Sequence, residues 1–267
     1  IIRIDIDEGN LVYRVHENEK QIRADIRPLL MKWTMNANKI VSDGWVAVCS
    51  DVRKKLQGYD DENYTKFLGA FCNTIGEDTI ITSDVGQCMV WIAQQLQIKK
   101  GQEVFMSAGH GAMGYSLPAA IGAYYASQKP VYSFNGDGGI QMNIQELQFL
   151  AREHLPIKVV IINNRALGMI RGFQEANFEK NYAQTIEGRG YSVPDFKKIA
   201  EAYGLGYGRI KMEQDLQELA GLNDDPMIVE LVFPIDTSLN PNFGRNGLIQ
   251  DQRPYLNRAL FDELMQL

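Results

Sequence analysis

Two hydrophobic periods alternate along the chain. Short apolar runs at 1–6, 79–83, 104–106, 131–134, 158–162, 207–210 and 227–232 read as strands. Between them, apolar residues at helical spacing predict helices over 64–75, 89–96, 115–125, 167–176, 194–203 and 255–265, with another near 213–222. Nearer the start, 21–33 holds a short helix around Pro28, and Ser42 caps a helix that runs to about Leu56 before the break at 58–61. Polar stretches at 36–43 and 240–253 read as a linker and a tail loop. The long glycine-containing stretch at 177–193 is a candidate active-site loop. Strands that alternate with helices predict an α/β fold, a doubly wound parallel sheet with helices on both faces.

The pattern is sharpest at 131–164, where strand, tight acidic turn, amphipathic segment and strand make one βαβ unit. Its turn is Asn135-Gly136-Asp137-Gly138-Gly139, and its second strand runs into Asn163-Asn164. Both ends lie at the carboxyl edge, where open α/β sheets bind ligands. Glycines at 136, 138 and 139 let backbone N–H groups approach an anion at the start of a helix. Asp137 sets a carboxylate beside that anion, which is repulsive unless a cation lies between them. Asn164 adds an amide oxygen. One carboxylate, one amide oxygen, a backbone carbonyl and phosphate oxygens suit Mg²⁺, so the unit reads as a site for a metal–diphosphate.

These residues resemble a known family. The GDG turn with Asn164 following Asp137 by 164 − 137 = 27 positions is similar to the thiamine-diphosphate motif. The words GAMGYSLPAAIGA at 111–123, QEL at 145–147 and LGMI at 167–170 resemble the acetolactate-synthase-like branch of the thiamine-diphosphate-dependent enzymes. The resemblance implies a thiamin diphosphate-binding fold over 63–267, preceded by the tail of a central domain at 1–36 and a linker and helix at 37–62. It implies Mg²⁺ ligation by Asp137, Asn164 and the carbonyl of Ala166. Gln87, Gly136, Gly138 and Gly139 would face the diphosphate, and Gly111, Ala112 and Met113 the aminopyrimidine ring. Leu167, Gly168 and Met169 would complete the cofactor site. Met169, Ile170 and Phe173 would line the substrate pocket. Gln87 also reads as a polar residue at a helix start, and Met113 taken alone reads as core.

The implied chemistry is that of the cofactor: decarboxylation of a 2-oxo acid, pyruvate by default, and transfer of the fragment to an acceptor. The glutamate that activates the cofactor comes in this family from a separate pyrimidine-binding domain, of the same or a neighbouring subunit. No catalytic residue is therefore expected in this chain, whose first residues read as a core strand in mid-protein, and the chain by itself is expected to be inactive. A homo-oligomer is implied, and FAD is left open. Three departures stand out: Cys88 where the family often has His, Gly139 where it often has Ser, and Phe173 where acetohydroxyacid synthases typically have Trp. A non-catalytic relative that binds the cofactor and serves in assembly is the alternative reading. A dinucleotide-binding domain is disfavoured, because no G-x-G-x-x-G follows a first strand.

Composition narrows the remaining classes. A net charge of −6 without a Lys/Arg run argues against nucleic acid. No apolar run approaches the ~20 residues of a membrane span. Cys49, Cys72 and Cys88 are odd in number and lack CxxC spacing, so they read as reduced thiols of a cytoplasmic protein. His16 and His154 read as surface residues, and His110 as a loop histidine or a substrate contact.

Overall fold

A computed structural model describes residues 1–14, 16–36, 43–57, 63–219, 225–239 and 255–266. The chain forms two compact units, Ile1–Lys54 and Lys55–Leu267. In the first, β1 (Ile2–Asp5) leads through α1 (Glu8–Leu11) to β2 (Lys20–Arg23), and α2 (Ile26–Asn36) follows. β1 and β2 pair in parallel, with Ile4 opposite Ile22. No strand was predicted at β2, because KQIR holds one apolar residue and cannot show a period of two. Beside that pairing, buried Glu19 meets Arg3 at 3.2 Å. α3 (Asp43–Gln57) runs across the division in the sequence.

The second unit begins with α4 (Asn63–Thr74), β3 (Ile80–Ser83), α5 (Gln87–Gln95), β4 (Glu103–Met106) and α6 (Ser116–Ser127). β5 (Val131–Gly136), α7 (Leu147–Glu153), β6 (Ile157–Asn163), α8 (Gly168–Asn177) and α9 (Phe196–Tyr203) follow. β7 (Gly206–Ile210), β8 (Met227–Val232) and α10 (Arg258–Leu264) complete it. Its six strands lie in the order β4-β3-β5-β6-β8-β7, and every pairing is parallel. Alternation along β6 covers both faces. Ile157, Val159 and Ile161 join the cluster under α6, α7 and α9, with Leu117, Leu150 and Phe196. Val160 and Ile162 join the opposite cluster, with Phe71 of α4 and Trp91 of α5. The doubly wound sheet with helices on both faces is what the sequence predicts.

Order decides where the site lies. From β3 the chain goes to β4 on one side and then crosses to β5 on the other. The carboxyl ends of β3 and β5 therefore part at a topological switch point, which opens a crevice.

Local differences have local causes. The segment after the acidic turn is not one helix. A 3₁₀ stretch, Ile140–Glu146, precedes α7, with Asn143 bent out of helical geometry at φ −132° and ψ 33°. The Asn143 amide donates to the Gly114 carbonyl at 2.7 Å, which ties that residue to the start of α6. Glu213–Leu219 is likewise 3₁₀. α9 starts at Phe196 because the Asp195 carboxylate caps the Lys197 and Lys198 N–H groups. Ser42, the break at 58–61 and the tail loop at 240–253 lie outside the described residues.

Candidate functional site

A cavity of about 330 Å³ opens where β3, β5 and β6 end. It gathers Gln87 of α5, Met113, the β5 turn Gly136–Asp137–Gly138–Gly139, and Asn164 with Ala166, Leu167, Gly168, Met169 and Ile170 beyond β6. Of the residues singled out in the sequence, Gly111, Ala112 and Phe173 fall outside its lining. Gly111 and Ala112 sit on the loop that leads to Met113, anchored through their N–H groups to the Ser107 carbonyl and hydroxyl. Phe173 is on α8 and meets Phe178 in a tilted ring contact, centroids 5.9 Å apart.

Asp137 is the charged centre of this space and is 1% exposed. Its Oδ1 accepts from the Tyr191 hydroxyl at 2.6 Å and its Oδ2 from the Arg165 N–H at 2.7 Å. Burial pushes its carboxyl up to about 6, against the pull of Tyr191 and of the backbone N–H groups of Arg165, Ala166 and Asn164. Burial and the Asp137 charge push the Tyr191 hydroxyl up in turn, so it stays a donor.

The β6 end supplies two more oxygens. Asn164 gives its Nδ2 to Gln87 Oε1 at 3.0 Å and to Thr237 Oγ1 at 2.9 Å. Its Oδ1 accepts no hydrogen bond among the described residues. Arg165, at φ 55°, turns the chain sharply between Asn164 and Ala166. Ala166 then bridges Ile186. The backbone bonds of that bridge come from its neighbours, Leu167 N–H to Thr185 O and Glu187 N–H to Arg165 O, and leave the Ala166 carbonyl out of them. Among the described residues no group of three His, Cys, Asp or Glu side chains could hold a metal. The donors present, one carboxylate, one amide oxygen and one carbonyl, fit a hard cation that takes its remaining ligands from phosphate.

At two of its glycines, 138 and 139, the floor of the cradle leaves no room for a side chain. A Cβ at Gly138 would stand 2.5 Å from Leu167 Cδ2 and 3.0 Å from the Tyr191 hydroxyl. One at Gly139 would collide with Asp84 Oδ2. Asp84, fully buried at the end of β3, accepts from the N–H groups of Gly114 and Tyr115, both at 3.0 Å. Burial raises its carboxyl pKa, and those N–H groups oppose the rise. The glycine at 139 is thus matched to Asp84. Cys88 donates its thiol to the Asp84 carbonyl at 3.2 Å, and burial pushes that thiol up to about 12, so it is a neutral packing group.

The rim is apolar. Met113 is 37% exposed, and Met169 and Ile170 are 45% and 46% exposed; Phe173, on α8 beyond the lining, is 43% exposed. His110, like His16 and His154, is exposed.

Sequence reasoning missed three residues. Asp84 had a usable signal, an acid directly after a strand at the carboxyl edge. Tyr191 lies within the 177–193 stretch expected as an active-site loop, although no pattern singled out that residue, and Thr237 had no signal, because a loop brings it to the site.

Residues 84–230 match the family described as thiamine pyrophosphate enzyme, C-terminal TPP-binding domain. This chain belongs to that family. The thiamine pyrophosphate enzymes are named for the cofactor this domain binds, thiamine diphosphate, and the six-stranded parallel sheet is consistent with the TPP-binding fold. The acetolactate synthase large subunit of Lactococcus lactis subsp. lactis is 34% identical over 244 residues, 87% of this chain and 41% of that protein. The acetolactate synthase large subunit of Corynebacterium glutamicum is 31% identical over 258 residues, 90% of this chain and 41% of that protein. That of Pyropia yezoensis is 42% identical over 146 residues, 54% of this chain and 24% of that protein. The chain thus spans about two fifths of the two bacterial thiamine pyrophosphate enzymes. No helix among the described residues is long and apolar enough to cross a membrane.

Proposed function

We propose that this chain is the cofactor-binding part of a 2-oxo acid decarboxylase or carboligase of the acetolactate-synthase-like kind, a lyase or transferase. The observation that carries this reading is the cavity itself, which sets the Gly136–Gly139 turn, Asn164 and Ala166 around one buried carboxylate. Asp137, Asn164 Oδ1 and the Ala166 carbonyl would hold Mg²⁺. The backbone N–H groups of Gly138 and Gly139, with the amide of Gln87, would hold the diphosphate. Gly111, Ala112 and Met113 would seat the aminopyrimidine, and Leu167, Gly168 and Met169 the wall beside the thiazolium. When bound, thiamine diphosphate would supply a carbon nucleophile and, in its thiazolium ring, a sink for the electrons left by decarboxylation.

The residues of this chain orient that group and shield it from water. Met169, Ile170 and Phe173 form an apolar rim against which a small 2-oxo acid would lie. The proton that activates the cofactor is assigned to a glutamate of a pyrimidine-binding domain, of the same or a neighbouring subunit in a homo-oligomer. The exposed apolar rim supports that assignment, since such surface is normally covered by a partner. A cytoplasmic location belongs to the same reading and is supported by three free thiols.

Titration of the purified chain with thiamine diphosphate, with and without Mg²⁺, tests the reading. Binding that requires Mg²⁺ is expected, together with decarboxylation of 2-oxo acids by an enzyme that carries this chain and the pyrimidine-binding domain. Cofactor binding indifferent to Mg²⁺ would overturn the metal assignment, and absence of decarboxylation the catalytic one.

A further inference from the structure

An asparagine offers oxygen to a cation only when its NH₂ is engaged elsewhere, because the two ends of the amide have nearly the same shape. At Asn164 that choice is made by a chain of hydrogen bonds ending at one residue. Asn164 Nδ2 donates to Gln87 Oε1 and to Thr237 Oγ1, at 3.0 and 2.9 Å. Gln87 faces the same choice, and a backbone carbonyl resolves it. Thr237 O can only accept, and it takes Gln87 Nε2 at 3.1 Å, which turns Gln87 Oε1 towards Asn164. Flipping Asn164 would set its oxygen against Gln87 Oε1, two acceptors face to face. Thr237 therefore acts on Asn164 twice: its carbonyl fixes the polarity through Gln87, and its hydroxyl, which could serve either end of the amide, accepts from Nδ2 and anchors the side chain in that orientation.

The surroundings hold this relay in place. Thr237 is 2% exposed. Arg171, on α8 and 5% exposed, gives its two terminal nitrogens to the carbonyls of Ile235 and Thr237. Among the described residues its Nε has no partner, so the guanidinium is committed to the 235–237 segment. A Cβ at Gly168 would collide with Gln87 Oε1, so the first residue of α8 leaves the room Gln87 needs.

We propose that Thr237 is a positioning residue whose hydroxyl anchors the Asn164 amide in the orientation the Gln87 relay selects, so that the site presents an oxygen and not an NH₂ to the metal. This rests on the reading of Asn164 as a Mg²⁺ ligand. Thr237 is not among the residues that line the cavity, and one of the two hydrogens on Gln87 Nε2 is left for the diphosphate.

The test is Mg²⁺ affinity measured by calorimetry on the purified chain with thiamine diphosphate, with the metal-free urea midpoint recorded alongside. Thr237→Val keeps the methyl and removes the hydroxyl, whereas Thr237→Ser does the reverse. The valine variant should weaken Mg²⁺ binding about tenfold, as loss of a partner that orients a metal ligand does, and the serine variant by less than about threefold. If the valine variant does not fold, Thr237→Cys replaces it against Thr237→Ser, because a thiol is a weak acceptor in the same place. Unchanged affinity in the valine variant, or equal losses in both members of either pair, would overturn the proposal. Asn164→Ala separates the two layers. If it leaves Mg²⁺ affinity intact, Asn164 is no ligand and both readings fall. If it abolishes binding while Thr237→Val is harmless, this inference alone falls.

Discussion

The two ends of the cavity are built on opposite principles. At the buried end Asp137, Asn164 and Gln87 are 1%, 5% and 7% exposed, and each is held by hydrogen bonds to residues from other elements. At the rim Met113, Met169 and Ile170, with Phe173 beyond them on α8, are far more exposed, and apolar side chains have no directional bonds to make. Polar groups taken out of water must find partners or cost free energy, so the buried end is organised before a ligand arrives. The rim has only non-directional burial to offer, which tolerates change of shape. Substitutions at the buried end should therefore be severe and specific, and those at the rim graded.

The largest expected effect is at Asp137. Asp137→Ala should abolish Mg²⁺-dependent binding of thiamine diphosphate in calorimetry, because among the described residues no other buried carboxylate lines the cavity. Undiminished binding would place the metal elsewhere and erase the contrast between the two ends. Next comes Gly139→Ala, whose Cβ would collide with Asp84 Oδ2. Such overpacking should lower stability by about 1–3 kcal/mol in urea unfolding. A neutral result would show that Asp84 is free to move.

The pH dependence sharpens the comparison. Asp137 is protonated up to about pH 6 in the folded chain, against an ordinary 3.8. A raised carboxyl pKa means the folded state holds its proton longer than the unfolded one. In metal-free protein the Asp137 contribution to stability therefore falls as pH rises from about 4 to about 6. Urea midpoints of the wild type and Asp137→Asn, compared across that window, should show it as a slope the asparagine variant lacks. On the proposed reading Mg²⁺ takes the Asp137 carboxylate, so its affinity should weaken by up to about tenfold per pH unit below pH 6.

At the rim, Phe173→Ala should change thiamine diphosphate affinity less than about threefold, because Phe173 lies outside the cavity lining and is 43% exposed. Loss of cofactor binding in that variant would break the distinction between the ends. The smallest effect is chemical. Cys88 lines the buried end, yet burial pushes its thiol up to about 12, as it does that of Cys72 in the core. Brief alkylation of native protein at pH 8 should label exposed Cys49 and spare the other two, as mass spectrometry of the digested chain would read.

What could be read from the chain alone follows one rule. Strands, helices and the acidic turn are local, since a period of two or 3.6 and a run of glycines belong to neighbouring residues. Asp137 and Asn164 were legible because they close the ends of consecutive strands in one βαβ unit, which the fold sets side by side. The parallel, doubly wound sheet followed from alternation of elements, and covered strands such as β6 are apolar on both faces for that reason.

Tertiary structure decided what lies between distant segments. Tyr191 reaches Asp137 across 54 positions and Thr237 reaches Asn164 across 73. No periodicity marks either residue, because the loops that carry them have none. Asp84 grips the start of α6 across about 30 positions, and that grip, not the turn, excludes a side chain at Gly139. Asn143 leaves the helix its sequence predicts because the Gly114 carbonyl, 29 positions away, is within its reach. The sequence by itself determined which groups stand at the strand ends. Only the folded chain decided which way they face, because a buried amide or carboxylate is oriented by whichever partners the packing brings to it.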